Sequence, residues 1–156
     1  ILDKYEKIII FHVGGDEKQK SYWNNYINNK RFYFLTHIDG EELIQIQKSC
    51  DFLLFPMTRE TKTYWCCSPM KLFEYMATGK PIIASYIGSI VEILNNENSI
   101  IFEPTKLNSL FYAIDYCFKN PKMIKHMGLN AKKLVAEKYT WDIRVKKIIY
   151  FIKNFN

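Results

Sequence analysis

The sequence has no apolar run approaching the length of a membrane span, no Cys-x-x-Cys pair and no histidine at zinc-finger spacing. The first absence argues against a transmembrane helix, and the other two against a structural metal. An initiator methionine is missing, and no basic stretch leads into an apolar one as in a signal peptide. Ile1-Leu2-Asp3-Lys4-Tyr5 therefore reads as a cut made inside a larger protein. Internal repeats and low-complexity tracts are absent as well. Of the four cysteines, Cys50, Cys66, Cys67 and Cys117, only Cys66 and Cys67 adjoin, and vicinal cysteines rarely bridge each other comfortably. Reduced thiols in a cytosolic protein are the expectation. His12, His37 and His126 are scattered and read as structural.

What is present suits one domain with a single core: 156 residues, 48% of them hydrophobic, with 11 Tyr and 11 Phe. The net charge of +6 raises nucleic acid or an anionic membrane as partners. The lysines are spread through helical segments beside much Asn, Ile and Tyr, residues with AT-rich codons. We read the surplus as genome composition, with no nucleic-acid partner, although diffuse positive charge would still attract a diphosphate.

Strands and helices alternate along the chain. Ile8-Ile9-Ile10-Phe11-His12-Val13 reads as a buried strand of a parallel sheet. Gly14-Gly15 turns it into a helix from Asp16 to Asn28. Further strands are expected at Phe32–Leu35, Phe52–Phe55, Pro81–Ala84 and Ser99–Phe102. Helices are expected at Gly40–Lys48, Pro69–Thr78, near Ile90–Leu94, Leu107–Phe118, Pro121–Lys138 and from Trp141 onward. Such alternation with short connections implies right-handed βαβ units and an α/β fold, Rossmann-like, with helices on both faces of a parallel sheet.

The informative stretch is Ser68-Pro69-Met70-Lys71-Leu72-Phe73-Glu74-Tyr75-Met76-Ala77-Thr78-Gly79-Lys80-Pro81. Ser68 suits an N-cap and Pro69 the first helical position, while Gly79 suits the position after the last turn. Pro69, Leu72, Phe73, Met76 and Ala77 make an apolar stripe; Lys71, Glu74, Tyr75 and Thr78 make a polar one. A helix that follows a strand starts at the carboxyl edge of the sheet, where open α/β folds bind ligands. Its free N–H groups and dipole favour an anion such as a diphosphate. Lys71 adds a positive charge, and a carboxylate at Glu74 can accept both hydroxyls of a ribose. The same residues also fit an ordinary capped amphipathic helix with an exposed Lys71–Glu74 pair.

The run from Ser68 to Ala84 resembles the donor-site signature of family-4 (group 1) glycosyltransferases of the GT-B fold. Asp39-Gly40-Glu41-Glu42-Leu43 and Cys50–Pro56 upstream, and Gly88–Ile93, Asn98–Pro104 and Tyr139-Thr140-Trp141 downstream, resemble the family's flanking elements in order. The resemblance implies transfer from a UDP-, GDP- or other nucleoside-diphosphate sugar to a carbohydrate or lipid-linked acceptor, with retention at the anomeric carbon, no cofactor and no metal. It carries ribose binding onto Glu74 and diphosphate contacts onto the helix start at Ser68 and Pro69. It also places Ile38 near the nucleobase and Gly14-Gly15 at the donor cleft; those glycines fit a plain strand-to-helix turn equally well. The context it suggests is polysaccharide, lipopolysaccharide or glycolipid synthesis in the cytoplasm, at the inner face of a membrane, with peripheral membrane association of the full-length enzyme.

Two departures qualify this. Many members have a glutamate near the donor sugar eight positions before the one matching Glu74, where this chain has Cys66. Glu60, at short spacing after Pro56, is the candidate for that catalytic position, or a solvated loop charge. The family's basic pair for the diphosphate lies on the first βα unit of its C-terminal domain. Residues 1–156 correspond to that nucleotide-sugar-binding domain without most of this unit and without the N-terminal acceptor domain, so the fragment alone is expected to be inactive. Two alternatives are a sugar-nucleotide epimerase of GT-B fold and a non-catalytic nucleotide-sugar-binding module, which Cys66 would favour. In the family the final helix commonly packs on the N-terminal domain. Here Val145, Ile148, Ile149 and Ile152 form its apolar face, widened by Phe151 and Phe155, and the isolated domain is expected to self-associate or fray near Phe151–Asn156.

Overall fold

The computed structural model of the chain describes residues 1–60, 62, 66 and 68–154. Cys67, Phe155 and Asn156, named above, lie outside the described residues. The chain forms two compact units, Ile1–Ile46 and Gln47–Asn156.

In the first unit, β1 (Ile10–Val13) and β2 (Phe32–Leu35) pair in parallel, from Ile10 opposite Phe32 to Val13 opposite Leu35. Between them runs α1 (Glu17–Ile27), started by a capping box: the Gln19 N–H donates to the Asp16 carboxylate at 2.8 Å, and the Asp16 N–H to the Gln19 side chain at 3.1 Å. Asn28, at φ 39°, closes it in the left-handed conformation that asparagine tolerates. Arg31 ties the N-terminal segment down: its guanidinium donates to the carbonyls of Tyr5 at 2.5 Å, Leu2 at 2.7 Å and Ile8 at 3.3 Å. Only Leu2, Ile8 and Phe34 are buried hydrophobics here. The expectation of a buried first strand is corrected. The strand starts at Ile10, and both Phe11 and His12 are exposed. Phe11 and Tyr33, paired in register across the two strands and each about half exposed, stack their rings at 5.2 Å.

In the second unit, β3 (Leu53–Phe55), β4 (Ile82–Ser85) and β5 (Ile100–Phe102) form a parallel sheet in that order. The five strands thus form two parallel sheets rather than the single one expected. Around this sheet lie α3 (Met70–Thr78), α4 (Ile90–Ile93), α5 (Leu107–Lys119), α6 (Pro121–Lys138) and α7 (Trp141–Asn154); α2 (Gly40–Ser49) leads in from the first unit. Each lies within two residues of its expected span.

The central strand β4 is buried throughout. Leu72 and Met76 of α3 are wholly buried with Ile82, Ala84, Ile90 and Ala131 in one cluster; removing each of the Leu, Met and Ile side chains from water is worth roughly 1.5–3 kcal/mol. Ala77, expected on this apolar stripe, is exposed, whereas Tyr75, expected outside, packs against the cluster. Tyr75 sets its ring edge-on to Phe55 at 6.3 Å, an aromatic contact that draws it to the sheet. Helix α3 ends at Gly79, φ 76°, as read from the sequence. The α6 helix crosses this turn at Gly128, where a Cβ would stand 2.8 Å from the Lys80 carbonyl carbon and 2.9 Å from the Pro81 nitrogen. Helix α7 is continuous to Asn154 and buries no residue.

Candidate functional site

Strands β3 and β4 run parallel, and α3 delivers the chain through Gly79-Lys80-Pro81 into the start of β4. The C-terminal end of α3 therefore lies at the amino edge of the sheet and its N-terminal end at the carboxyl edge. The start differs from expectation: Pro69 is the N-cap (φ −73°, ψ 119°), the helix begins at Met70, and among the described residues no side chain caps it. Ser68 lies one position too early: Pro69 has a φ that a first helical residue could adopt, but its ψ of 119° is extended, so the helix begins only after it. The Leu72 N–H bonds back to the Pro69 carbonyl at 3.0 Å. The earlier N–H groups have no intrahelical partner. An uncapped helix start carries about half a positive elementary charge, which favours an anion.

Lys71 and Glu74 are both exposed on this helix, with no ion pair between them. The ordinary exposed Lys71–Glu74 pair is thus not formed, and both charges face solvent. Tyr75 beside Glu74 has its phenol pushed up, mainly by burial and then by the nearby Cys50 and Glu74. That keeps it a neutral hydrogen-bonding group. Glu60 is exposed on the segment leaving β3, at the same carboxyl edge. Ser68, Pro69, Lys71 and Glu74 thus share one helix start, and Glu60 shares its edge of the sheet.

Sequence reasoning passed over two residues at this edge. Tyr86, exposed, follows β4 and donates its N–H to the Phe102 carbonyl at 2.7 Å. Glu103 follows β5; its carboxyl is held below the usual range first by the Thr105 hydroxyl at 2.9 Å, and also by the charges of Arg59 and Lys106. The signal for them was positional: each is the first polar residue after an apolar strand.

In the first unit, Gly14-Gly15 after β1 and Ile38 after β2 lie at the carboxyl edge of their own parallel pair. Gly14 has φ 116° and Gly15 φ 92°, and the Gly14 N–H reaches the Leu35 carbonyl at 3.0 Å. At Gly15 a Cβ would also crowd the Phe34 ring, 3.1 Å away, so the turn itself requires glycine. His37 contacts Asp39 at 2.5 Å beside Ile38. Among the described residues, Cys50, Cys66 and Cys117 are unbridged, and no cluster of three or more potential metal ligands occurs.

The profile of the glycosyl transferase-like family matches residues 1–150. The chain belongs to this family. An uncharacterized glycosyltransferase of Methanocaldococcus jannaschii is 30% identical over 121 residues, which is 77% of this chain and 30% of that protein. Among solved structures, the Anabaena protein HepE in complex with UDP superposes with a TM-score of 0.77 at 17% identity, over 94% of this chain and 41% of HepE. Sucrose-phosphate synthase of Thermosynechococcus elongatus superposes with a TM-score of 0.75 at 22% identity, over 93% of this chain and 38% of that enzyme. These likenesses establish the fold as that of the group 1, GT-B glycosyltransferases. The chain spans less than half the length of each of these relatives.

Proposed function

We propose that this chain is the donor-binding domain of a retaining glycosyltransferase that uses a nucleoside-diphosphate sugar. The observation that carries this is the uncapped start of α3 at the carboxyl edge of the sheet, with Glu74 exposed one turn further in. The diphosphate would sit on the free N–H groups, with Lys71 beside it, and the ribose hydroxyls on Glu74. Charge grows on the diphosphate as the glycosidic bond breaks, and preorganised N–H donors meet that charge without reorganisation. HepE was solved with UDP, and this supports a uridine donor. Ile38 and Gly14-Gly15 are assigned to the nucleobase and the donor cleft. Glu60 is assigned to the donor sugar, in place of the glutamate that Cys66 replaces. The acceptor is a carbohydrate or a lipid-linked saccharide, and the natural setting is surface polysaccharide or glycolipid assembly at the inner face of a membrane.

The test is titration of UDP-sugars into wild type, Glu74→Gln and Glu60→Gln. A charge-assisted bond to ribose is worth roughly 1.5–3 kcal/mol, about ten- to a hundredfold in affinity. Glu74→Gln is expected to weaken donor binding by that much, and Glu60→Gln far less. Equal affinities for wild type and Glu74→Gln would overturn the pose. Donor binding by the full-length enzyme without turnover of any sugar would instead indicate a non-catalytic module.

A further inference from the structure

Helix α3 carries three kinds of side chain on three sides. At about 100° per residue, Leu72 and Met76 share the inner side, Phe73 and Tyr75 lie on its two opposite flanks, and Glu74 lies on the far side. Burial follows that order: Leu72 and Met76 are wholly buried, Phe73 and Tyr75 partly buried, and Glu74 exposed. Each flank carries an aromatic contact. Tyr75 meets Phe55 of β3. Phe73 packs on the ring of Tyr139, with centroids 5.3 Å apart and planes tilted by 36°.

Tyr139 is held firmly by its own surroundings. It closes α6, where its N–H donates to the Val135 carbonyl at 3.0 Å. Ala131, Val135 and Tyr139 recur every four residues and so share one face of α6. Ala131 and Val135 are buried in the same cluster as Leu72 and Met76, so that face lies along α3. Thr140 fixes the chain beyond, its hydroxyl accepting the Ile143 N–H at 3.3 Å. The apolar contacts on the inner side of α3 are non-directional and do little to stop the helix turning about its own axis. Rings wedged on both flanks do stop it. A rotation of about 10° would carry an outward side chain through roughly 1 Å. A misplacement of about 1 Å can cost up to a hundredfold where groups must be positioned. The direction of Glu74 thus depends on rings that it does not touch.

We propose that Tyr139 is a positioning residue for donor binding: through Phe73 it fixes the rotation of α3 and so aims Glu74 at the ribose. The proposal rests on the donor pose given above. It is tested by titrating UDP into the full-length enzyme and into Tyr139→Phe, Tyr139→Ala, Glu74→Ala and the Tyr139→Ala/Glu74→Ala double variant. Tyr139→Phe keeps the ring and should bind as wild type does. Tyr139→Ala should weaken binding about two- to tenfold, the worth of an aromatic pair. In the Glu74→Ala background no carboxylate remains to aim, and Tyr139→Ala should cost nothing further. Tyr139 is 37% exposed at a helix end, so Tyr139→Ala should keep the wild-type circular dichroism. If it does not fold, Phe73→Leu, which removes the other ring and keeps the apolar bulk, must give the same coupled loss. An unchanged affinity in Tyr139→Ala, a Tyr139→Phe variant as weak as Tyr139→Ala, or an equal loss with and without Glu74 would overturn the proposal. Glu74→Ala binding UDP as tightly as wild type would overturn the donor pose and this proposal together. A weakened Glu74→Ala beside an unaffected Tyr139→Ala would overturn this proposal alone.

Discussion

The three described cysteines differ in what surrounds their sulfur, and that difference is measurable. Cys66 is exposed, Cys50 half-buried and Cys117 buried in α5. Burial pushes the Cys117 thiol up to about 12 from 9.0, and thiolate is the reactive form. In the native protein at neutral pH, Cys66 should react with a thiol reagent first and Cys117 not at all until the chain is unfolded. A raised folded-state value also fixes a sign. The stabilising contribution of the neutral Cys117 thiol is fully present below pH 9, the value expected when unfolded, and is lost as pH rises towards 12. The denaturation midpoint of Cys117→Ala, unlike that of wild type, should lack this component of the alkaline decline. Arg31 offers a second residue-scale check. Its guanidinium serves three backbone carbonyls, two of them within 2.7 Å, and hydrogen bonds from a charged donor are worth roughly 1.5–3 kcal/mol. Arg31→Ala should lower stability by about that amount, read by urea denaturation.

At the scale of elements, periodicity and punctuation made the sequence largely legible. Alternating apolar runs located the strands, and Gly79, Asn28 and Pro121 mark helix boundaries where backbone chemistry demands them. What failed depended on neighbours distant in sequence. Tyr75 looked polar on its own helix but had an aromatic partner, Phe55, twenty residues away. Phe11 looked like core because its strand is apolar, yet the number of strands beside it, not its sequence, decides whether it is covered. The Ser68-Pro69 start was found to within one residue: Ser68 was read as the cap, whereas the backbone gives that position to Pro69. Glu74 and Lys71 could be proposed from the sequence because a motif carries them, and the structure places both exposed on α3. Glu103 and Arg59 were not, because a sheet edge brings them close and no spacing announces it.

Over the whole molecule, burial is unequal. Leu2, Ile8 and Phe34 make up the buried hydrophobics of Ile1–Ile46, whereas β4, Leu72, Met76 and Ile114 anchor a much denser interior in Gln47–Asn156. Opening free energy follows buried apolar contact. Native-state hydrogen exchange should therefore find the slowest amides in β4 and α3, and markedly faster ones in β1, β2 and α1. Uniform protection across both units would contradict this. The chain also matches less than half of each relative described. We expect it to bind a donor weakly without transferring sugar by itself; an assay with labelled UDP-sugar and the isolated chain checks this.

Gly128 lies at the opposite end of α3 from the proposed donor site. In a helix interior, alanine is favoured over glycine by about 1 kcal/mol, so a survey of helix formers would nominate Gly128→Ala as an improvement. The backbone of Lys80 and Pro81, under 3 Å from the added methyl, has no rotamer to retreat into. Overpacking of this kind costs about 1–3 kcal/mol, and relief requires α6 to back away from the turn that ends α3. Because α3 is a stiff rod of nine residues, a push at its far end is felt at its start. Affinity at the proposed donor site is thus expected to respond to a methyl group that touches none of the residues assigned to it, and donor titration of Gly128→Ala beside Glu74→Gln checks this.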